Sequence, residues 1–222
     1  MGVKELLAVG GWPASLGSLP LAGEVFDADG ISVERLKTAG AVAAVQTTSS
    51  ELGATNQTTT KIHGATRNPW NLERTPGGSS GGSAAGVAGG LFALATASDG
   101  GGSIRIPAGF CGLIGLKSTF GRIPRGPGSI LGNATAVEGT VSRSTRDTAR
   151  YLDITNGFDP RDPRGLPRVE GYEATLGSRA DEVRSLRVAI VPDLSCAVVG
   201  PETEELVIAA AEELIARSGM QR

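Results

Sequence analysis

The chain reads as an α/β protein built on a mixed or parallel sheet. Short apolar runs of strand length alternate with helical patterns along the sequence. At 222 residues, the chain is long enough for one sizeable core. Its composition, 40% apolar and 20% charged, is that of an ordinary globular protein.

The elements follow in order. Residues 6–9 form a short apolar run that suits a strand. Residues 32–37 suit a helix, with Asp29 or Ser32 as cap, Val33 and Leu36 inward, and Gly40 just past the end. Residues 41–45 read as a buried strand, and 47–60 as a Thr- and Ser-rich loop with room for one helical turn. Residues 83–93 form a small-residue helix able to pack close to its neighbours. The glycine loop at 77–82 opens it, so free N–H groups and the positive dipole end are expected to face a bound group. Residues 114–117 suit a strand and 145–154 a helix carrying Ala149, Tyr151 and Leu152. Three prolines and two glycines in 156–168 mark a surface connection. After it, 186–191 reads as a strand. Residues 201–216 read as an amphipathic helix that starts at Pro201 and stops at Gly219, with Leu206, Ala210, Leu214 and Ile215 as its stripe.

Composition excludes several classes of function. A net charge of −2 gives no basic footprint for nucleic acid, and no Lys/Arg run marks a membrane surface. The uncharged stretch between Arg74 and Asp99 is rich in Gly, Ser and Ala and suits a buried helix better than a membrane span. No signal peptide is expected at the start. Cys111 and Cys196 lie far apart and read as reduced thiols of a cytoplasmic protein. Glycine is the outlier, with 33 residues, sixteen of them between Gly77 and Gly128. That density marks backbone that packs closely or takes part in chemistry.

Two Ser/Gly clusters carry the chemistry: Gly77-Gly78-Ser79-Ser80-Gly81-Gly82-Ser83 and Ser98-Asp99-Gly100-Gly101-Gly102-Ser103-Ile104-Arg105. Three glycines before Ser103 can aim N–H groups at one point beside its hydroxyl, as an oxyanion requires. Gly77–Gly81 matches G-x-S-x-G, but an α/β-hydrolase needs a histidine after the serine, and the sole His63 precedes it. One His and two distant Cys cannot supply a zinc cluster. A P-loop fails because Leu116 stands where glycine is required before Lys117.

The sequence resembles the amidase signature enzymes. The likeness runs through Arg67-Asn68-Pro69-Trp70, Arg74-Thr75-Pro76, the Gly77–Ser83 cluster, residues 99–108, Cys111-Gly112-Leu113-Ile114-Gly115-Leu116-Lys117 and Gly121-Arg122-Ile123-Pro124. It extends to Gly2-Val3-Lys4, to Asp29 and to Arg143 and Asp147. The resemblance implies the amidase signature fold, a mixed β-sheet core covered by helices on both faces, here partial. It implies Ser103 as nucleophile, Ser79 as a bridging serine after a cis peptide bond, and Lys4 as base. Gly100, Gly101 and Gly102 would form the oxyanion hole, with Asp99 and Arg105 as supporting pair. The activity implied is hydrolysis of a carboxylic amide through an acyl-enzyme, with no metal or organic cofactor. The implied partner is a small-molecule amide rather than nucleic acid or membrane, with a homodimer left open.

Departures from the family pattern are Glu5 for aspartate, Ser118 for proline and Gln46 for lysine. Family members are longer, so residues 1–222 are expected to be one amidase domain incomplete at both ends, with 156–185 linker-like within it. Two alternatives stand beside the hydrolase: an inactive amidase fragment or remnant, and an amidotransferase A-type subunit supplying ammonia for tRNA-dependent amidation. The second would call for glutamine where Ile106 follows Arg105. Plainer roles also exist. Ser80 and Ser83 read as helix caps, Arg105 as a structural partner of Asp99, His63 as a surface or loop residue and Cys111 as core. Lys61 is the fallback base.

Overall fold

The computed structural model describes residues 1–126, 134–194 and 196–222. They form two compact units, Met1–Glu173 and Ala174–Arg222.

The first unit is built on a five-stranded mixed sheet of order β2-β1-β5-β7-β6. Its strands are β1 (Gly2–Lys4), β2 (Val45–Thr47), β5 (Leu94–Asp99), β6 (Ile114–Lys117) and β7 (Val137–Ser142). β1 runs parallel to β2 and β5, whereas β7 is antiparallel to β5 and β6. A separate two-stranded ribbon pairs β3 (Thr59–Thr60) with β4 (Gly64–Ala65). Helices α2 (Gly81–Ala88) and α3 (Arg105–Cys111) cover the sheet with a core of Val87, Ala95, Ala97, Ile104, Ala108 and Val141. Helices α1 (Ile31–Thr38) and α4 (Thr145–Thr155) pack on each other. Val33 of α1 joins Val3, Leu7 and Val9, and Leu36 joins Ile123 and Tyr151. Alternation along β1 therefore gives Val3 to α1 and Lys4 to the α2 end.

Several expected elements shift. Residues 6–9 form no strand, because the chain turns directly after β1, with Leu7 N–H donating to Lys4 O at 2.8 Å. The strand expected over 41–45 lies at Val45–Thr47, with Val45 40% exposed. The small-residue helix is Gly81–Ala88 and stops at Gly89–Gly90. β5 and β7 have small, mixed sequences with little strand signature, yet they occupy the sheet's centre, where burial on both faces overrides propensity.

The Pro-rich stretch from 156 is packed rather than loose. Asn156 and Asp162 are buried, and the Arg35 guanidinium donates to the carbonyls of Thr155, Asn156, Gly157 and Phe158.

The second unit holds α5 (Ala180–Arg184) and α6 (Pro201–Ser218). α6 ends at Gly219 in a left-handed conformation, φ 75°. Its apolar stripe is not a core face here, since Leu206 and Leu214 are 66% and 61% exposed. The strand expected over 186–191 reduces to one bridge between Arg187 and Gln221, because no neighbouring strand pairs with it among the described residues. No helix of the described residues is long and apolar enough to cross a membrane.

Candidate active site

Lys4 ends β1 and is completely buried. Its Nζ lies 2.7 Å from Ser79 Oγ, 2.8 Å from Ser80 Oγ and 2.9 Å from Ser98 Oγ. Burial lowers the lysine's pKa to about 7, against the opposing attraction of Asp99 and Glu5. A neutral amine has two N–H donors and one lone pair. Ser80 already donates to the Ser98 carbonyl, at 3.3 Å. Its oxygen, with that of Ser98, can therefore accept the two amine hydrogens, which leaves the lone pair for the Ser79 hydroxyl.

Ser79 follows a cis peptide bond from Gly78 and is 2% exposed. Its carbonyl accepts from Ser50 N–H at 3.2 Å. The glycines around it let backbone come close. A Cβ on Gly82 would run into the backbone nitrogen and hydroxyl of Thr48, and one on Gly78 would meet the Asn56–Gln57 backbone at 2.7 Å. The α2 N-terminus is not open to a bound group, as the sequence had suggested. The N–H groups of Ser80, Gly81 and Gly82 are taken up by Ser103 O, Thr58 Oγ1 and Thr48 O. Ser80 is no side-chain cap either, because its hydroxyl meets Lys4 instead. Ser83 likewise donates to Thr96 O and pairs with Thr47.

Ser103 stands on the loop between β5 and α3 and lines a cavity of about 230 Å³ together with Ser79, Ser98, Asp99 and Gly100. Leu6, Leu52, Arg125 and Glu138 complete much of its wall. Ser103 and Ser79 share this cavity, but no hydrogen bond joins their hydroxyls. Contacts of this kind often tighten only once substrate is bound. Asp99 shapes the loop from beneath. Its carboxylate accepts from Gly102 N–H at 2.7 Å, from Ile104 N–H at 3.1 Å and from the Arg105 guanidinium at 3.0 Å twice. Burial alone would raise its pKa, yet the Arg105 bonds and the Gly102 and Ile104 N–H groups hold it at about 2.

This corrects one expected role. The Gly102 N–H is committed to Asp99 and is not free to meet an oxyanion. Gly102 contributes its backbone shape instead: φ is 115°, and a Cβ there would lie 2.7 Å from Ile106. Gly100 and Gly101 remain exposed beside Ser103. Arg105, with its side chain 55% exposed, clamps Asp99 from the rim.

Of the remaining candidates, Lys61 is exposed and outside the site. Cys111 is buried, its thiol pushed up to about 11 by burial, and Cys196 is exposed and unpaired. Among the described residues no cluster of three or more His, Cys, Asp or Glu side chains could hold a metal. Sequence reasoning missed Ser80 and Ser98 as lysine ligands. His63 is exposed on the β3–β4 turn, as expected, but no sequence signal indicated that its Nε2 would lie 3.0 Å from the buried Glu5 carboxylate.

Comparison with known proteins follows the same line. A family model described as Amidase matches residues 1–221. Over 189 residues the chain is 42% identical to the A subunit of the Glutamyl-tRNA(Gln) amidotransferase of Oleidesulfovibrio alaskensis, covering 85% of this chain and 39% of that protein. It is 40% identical over 220 residues to an Acylamidase of Rhodococcus erythropolis, covering 96% of this chain and 45% of that one. Among solved structures, 6-aminohexanoate cyclic dimer hydrolase superposes with a TM-score of 0.88 at 34% identity, over 97% of this chain and 46% of the hydrolase. The chain thus spans less than half the length of these relatives.

Proposed function

The chain belongs to the amidase signature family, and from that premise we propose that it hydrolyses a carboxylic amide C–N bond, with Ser103 as nucleophile, Ser79 as bridge and Lys4 as base. The observation that carries the reading is the fully buried Lys4 amine 2.7 Å from Ser79 Oγ. A lysine with a pKa of about 7 is half unprotonated at neutral pH, so it can accept a proton there.

In the first half-reaction, Ser103 Oγ attacks the amide carbon and its proton passes to Ser79, while Ser79 gives its own to Lys4 Nζ. The tetrahedral oxyanion is met by backbone N–H groups of Gly100 and Gly101. Collapse breaks the C–N bond, and the proton returns through Ser79 to the leaving amine. Water then attacks the acyl-enzyme along the same relay and releases the carboxylic acid. Asp99 and Arg105 keep the glycine loop in shape throughout. The cavity beside Ser103 suits a small-molecule amide, and the two unpaired thiols suit a reducing cytoplasm.

A second reading is favoured by the likeness to the Oleidesulfovibrio amidotransferase. On that reading the same relay would release ammonia for a partner enzyme, and activity would depend on that partner. Ile106, in place of the expected glutamine, speaks for the simple hydrolase.

The test is labelling of the chain with a fluorophosphonate, read by intact mass. One addition that disappears in Ser103→Ala is expected. A folded chain that takes no label would favour the inactive-remnant alternative, and labelling that survives Ser103→Ala would overturn the assignment of the nucleophile.

A further inference from the structure

Glu5 follows the base directly in sequence, and its side chain is only 2% exposed. A buried carboxylate is costly unless its oxygens are well supplied with donors. Here they are. Oε1 accepts from Ser49 N–H at 2.5 Å and from Ser49 Oγ at 3.0 Å. Oε2 accepts from Ser15 Oγ at 3.2 Å and faces His63 Nε2 at 3.0 Å. These donors come from three separate stretches of chain. The contacts continue inward to the relay, because Ser50, next to Ser49, donates its N–H to the carbonyl of Ser79 at 3.2 Å. They also reach the cavity wall, since Leu52 and Gly53 line it and Leu52 N–H donates to Leu16 O at 2.8 Å.

We infer that Glu5 is a positioning residue for the proton relay: it clamps the 49–53 segment that holds Ser79 over Lys4, and His63 on the β3–β4 turn completes the clamp from the solvent side. The inference rests on Lys4 and Ser79 acting as proposed above. The carboxylate has a second effect through space. With Asp99 on β5 it is one of two anions acting on the Lys4 amine, whose other neighbours are the hydroxyls of Ser79, Ser80 and Ser98. Removing the Glu5 charge should therefore lower the pH at which Lys4 becomes a free base as well as loosen Ser79.

The experiment follows the rate of fluorophosphonate labelling against pH in the wild-type chain, Glu5→Gln, Glu5→Asp, His63→Ala and His63→Gln. In Glu5→Gln the plateau rate should fall about tenfold or more, and the midpoint of the acid limb should move to lower pH. Glu5→Asp retains the charge, so its midpoint should stay with the wild type while its plateau stays low, because the shorter side chain cannot reach Ser49 and His63 together. His63→Ala should slow labelling several-fold, and His63→Gln, with an N–H donor of similar reach, should recover it. A purely structural glutamate would alter thermal stability and leave the midpoint where it was. Wild-type rate and midpoint in Glu5→Gln overturn the inference. If that variant does not fold, an unchanged rate in His63→Ala overturns it equally, since His63 is one-third exposed and its loss leaves the core intact. A wild-type chain that takes no Ser103-dependent label overturns the relay itself, a result distinct from a labelled chain indifferent to Glu5.

Discussion

Lys4 offers the most direct physical test, because the burial that would let it act as a base also costs stability. Its pKa falls from 10.5 to about 7 on folding. At about 1.4 kcal/mol per pKa unit, the folded state carries a penalty of about 5 kcal/mol whenever Lys4 is protonated in both states. The sign follows from proton counts. Below pH 7 both the folded and the unfolded chain hold the proton, and the full penalty applies. Between 7 and 10.5 the unfolded chain holds more protons than the folded one, so stability rises with pH. Above 10.5 the penalty is gone.

Lys4→Met removes the titrating group and keeps most of the volume. It also leaves three serine hydroxyls without their amine partner, at a cost of about 1–3 kcal/mol each when buried. That cost does not depend on pH, so it cancels when the wild type and the variant are compared across pH. The linkage leaves a penalty of about 4 kcal/mol at pH 7 and about 2 kcal/mol at pH 9. The wild type should therefore gain about 2 kcal/mol on the variant between these two pH values. Urea denaturation followed by Trp fluorescence reads this, because Trp12 packs on the Val3–Leu7–Val9–Val33 cluster around β1 and Trp70 lies in the same unit. A stability difference constant within about 0.5 kcal/mol over that range would show that Lys4 keeps its proton on folding. It would then be no base at neutral pH. The variant should also take no fluorophosphonate, and wild-type labelling should climb to a plateau above pH 7.

Two other substitutions separate chemistry from packing. Ser79→Ala should slow Ser103 labelling by about 10²–10⁴-fold with little change in melting temperature, since it cuts the relay without creating a large void; a loss below tenfold would remove Ser79 from the path. Gly82→Ala should destabilise the chain by about 1–3 kcal/mol, read from the same Trp transition, because its methyl group would meet the backbone of Thr48 rather than a side chain able to move aside. Unchanged stability there would mean that α2 can shift outward at little cost.

The sequence pointed to the proposed site more plainly than to how that site is held. The glycine tract before Ser103 pointed to N–H groups beside a serine hydroxyl, and the structure has Ser103 and Gly100 lining one cavity. What could not be read was that Asp99 takes the Gly102 N–H for itself, because a carboxylate four residues from a serine can bend toward either the loop or the substrate. The same limit applied to strands. β5, Leu-Ala-Thr-Ala-Ser-Asp, carries no β-branched alternation of note, and its strand character comes from lying between β1 and β7 and packing against α2. Residues 186–191 carry the stronger strand signature and form only a bridge, because a strand needs a neighbour as well as a propensity.

The stretch Val3-Lys4-Glu5 shows why the supports of the proposed site could not be read from sequence. These three consecutive residues are all buried, and each enters a different environment. Val3 faces the α1 cluster, Lys4 the serines at the head of α2, and Glu5 a ring of donors from residues 15, 49 and 63. Strand alternation accounts for Val3 and Lys4 parting company. It says nothing of what waits on each side, because β2 and β5, which bury the strand, come from some forty and ninety residues away. A serine that receives a lysine and a serine that caps a helix have the same sequence signature, and so do a solvated histidine and one that closes a carboxylate clamp. Only the partner distinguishes them, and the partner is set by the fold. The glycines before Ser103, by contrast, would act through their own backbone, and backbone need is the one functional requirement that a sequence displays without its neighbours.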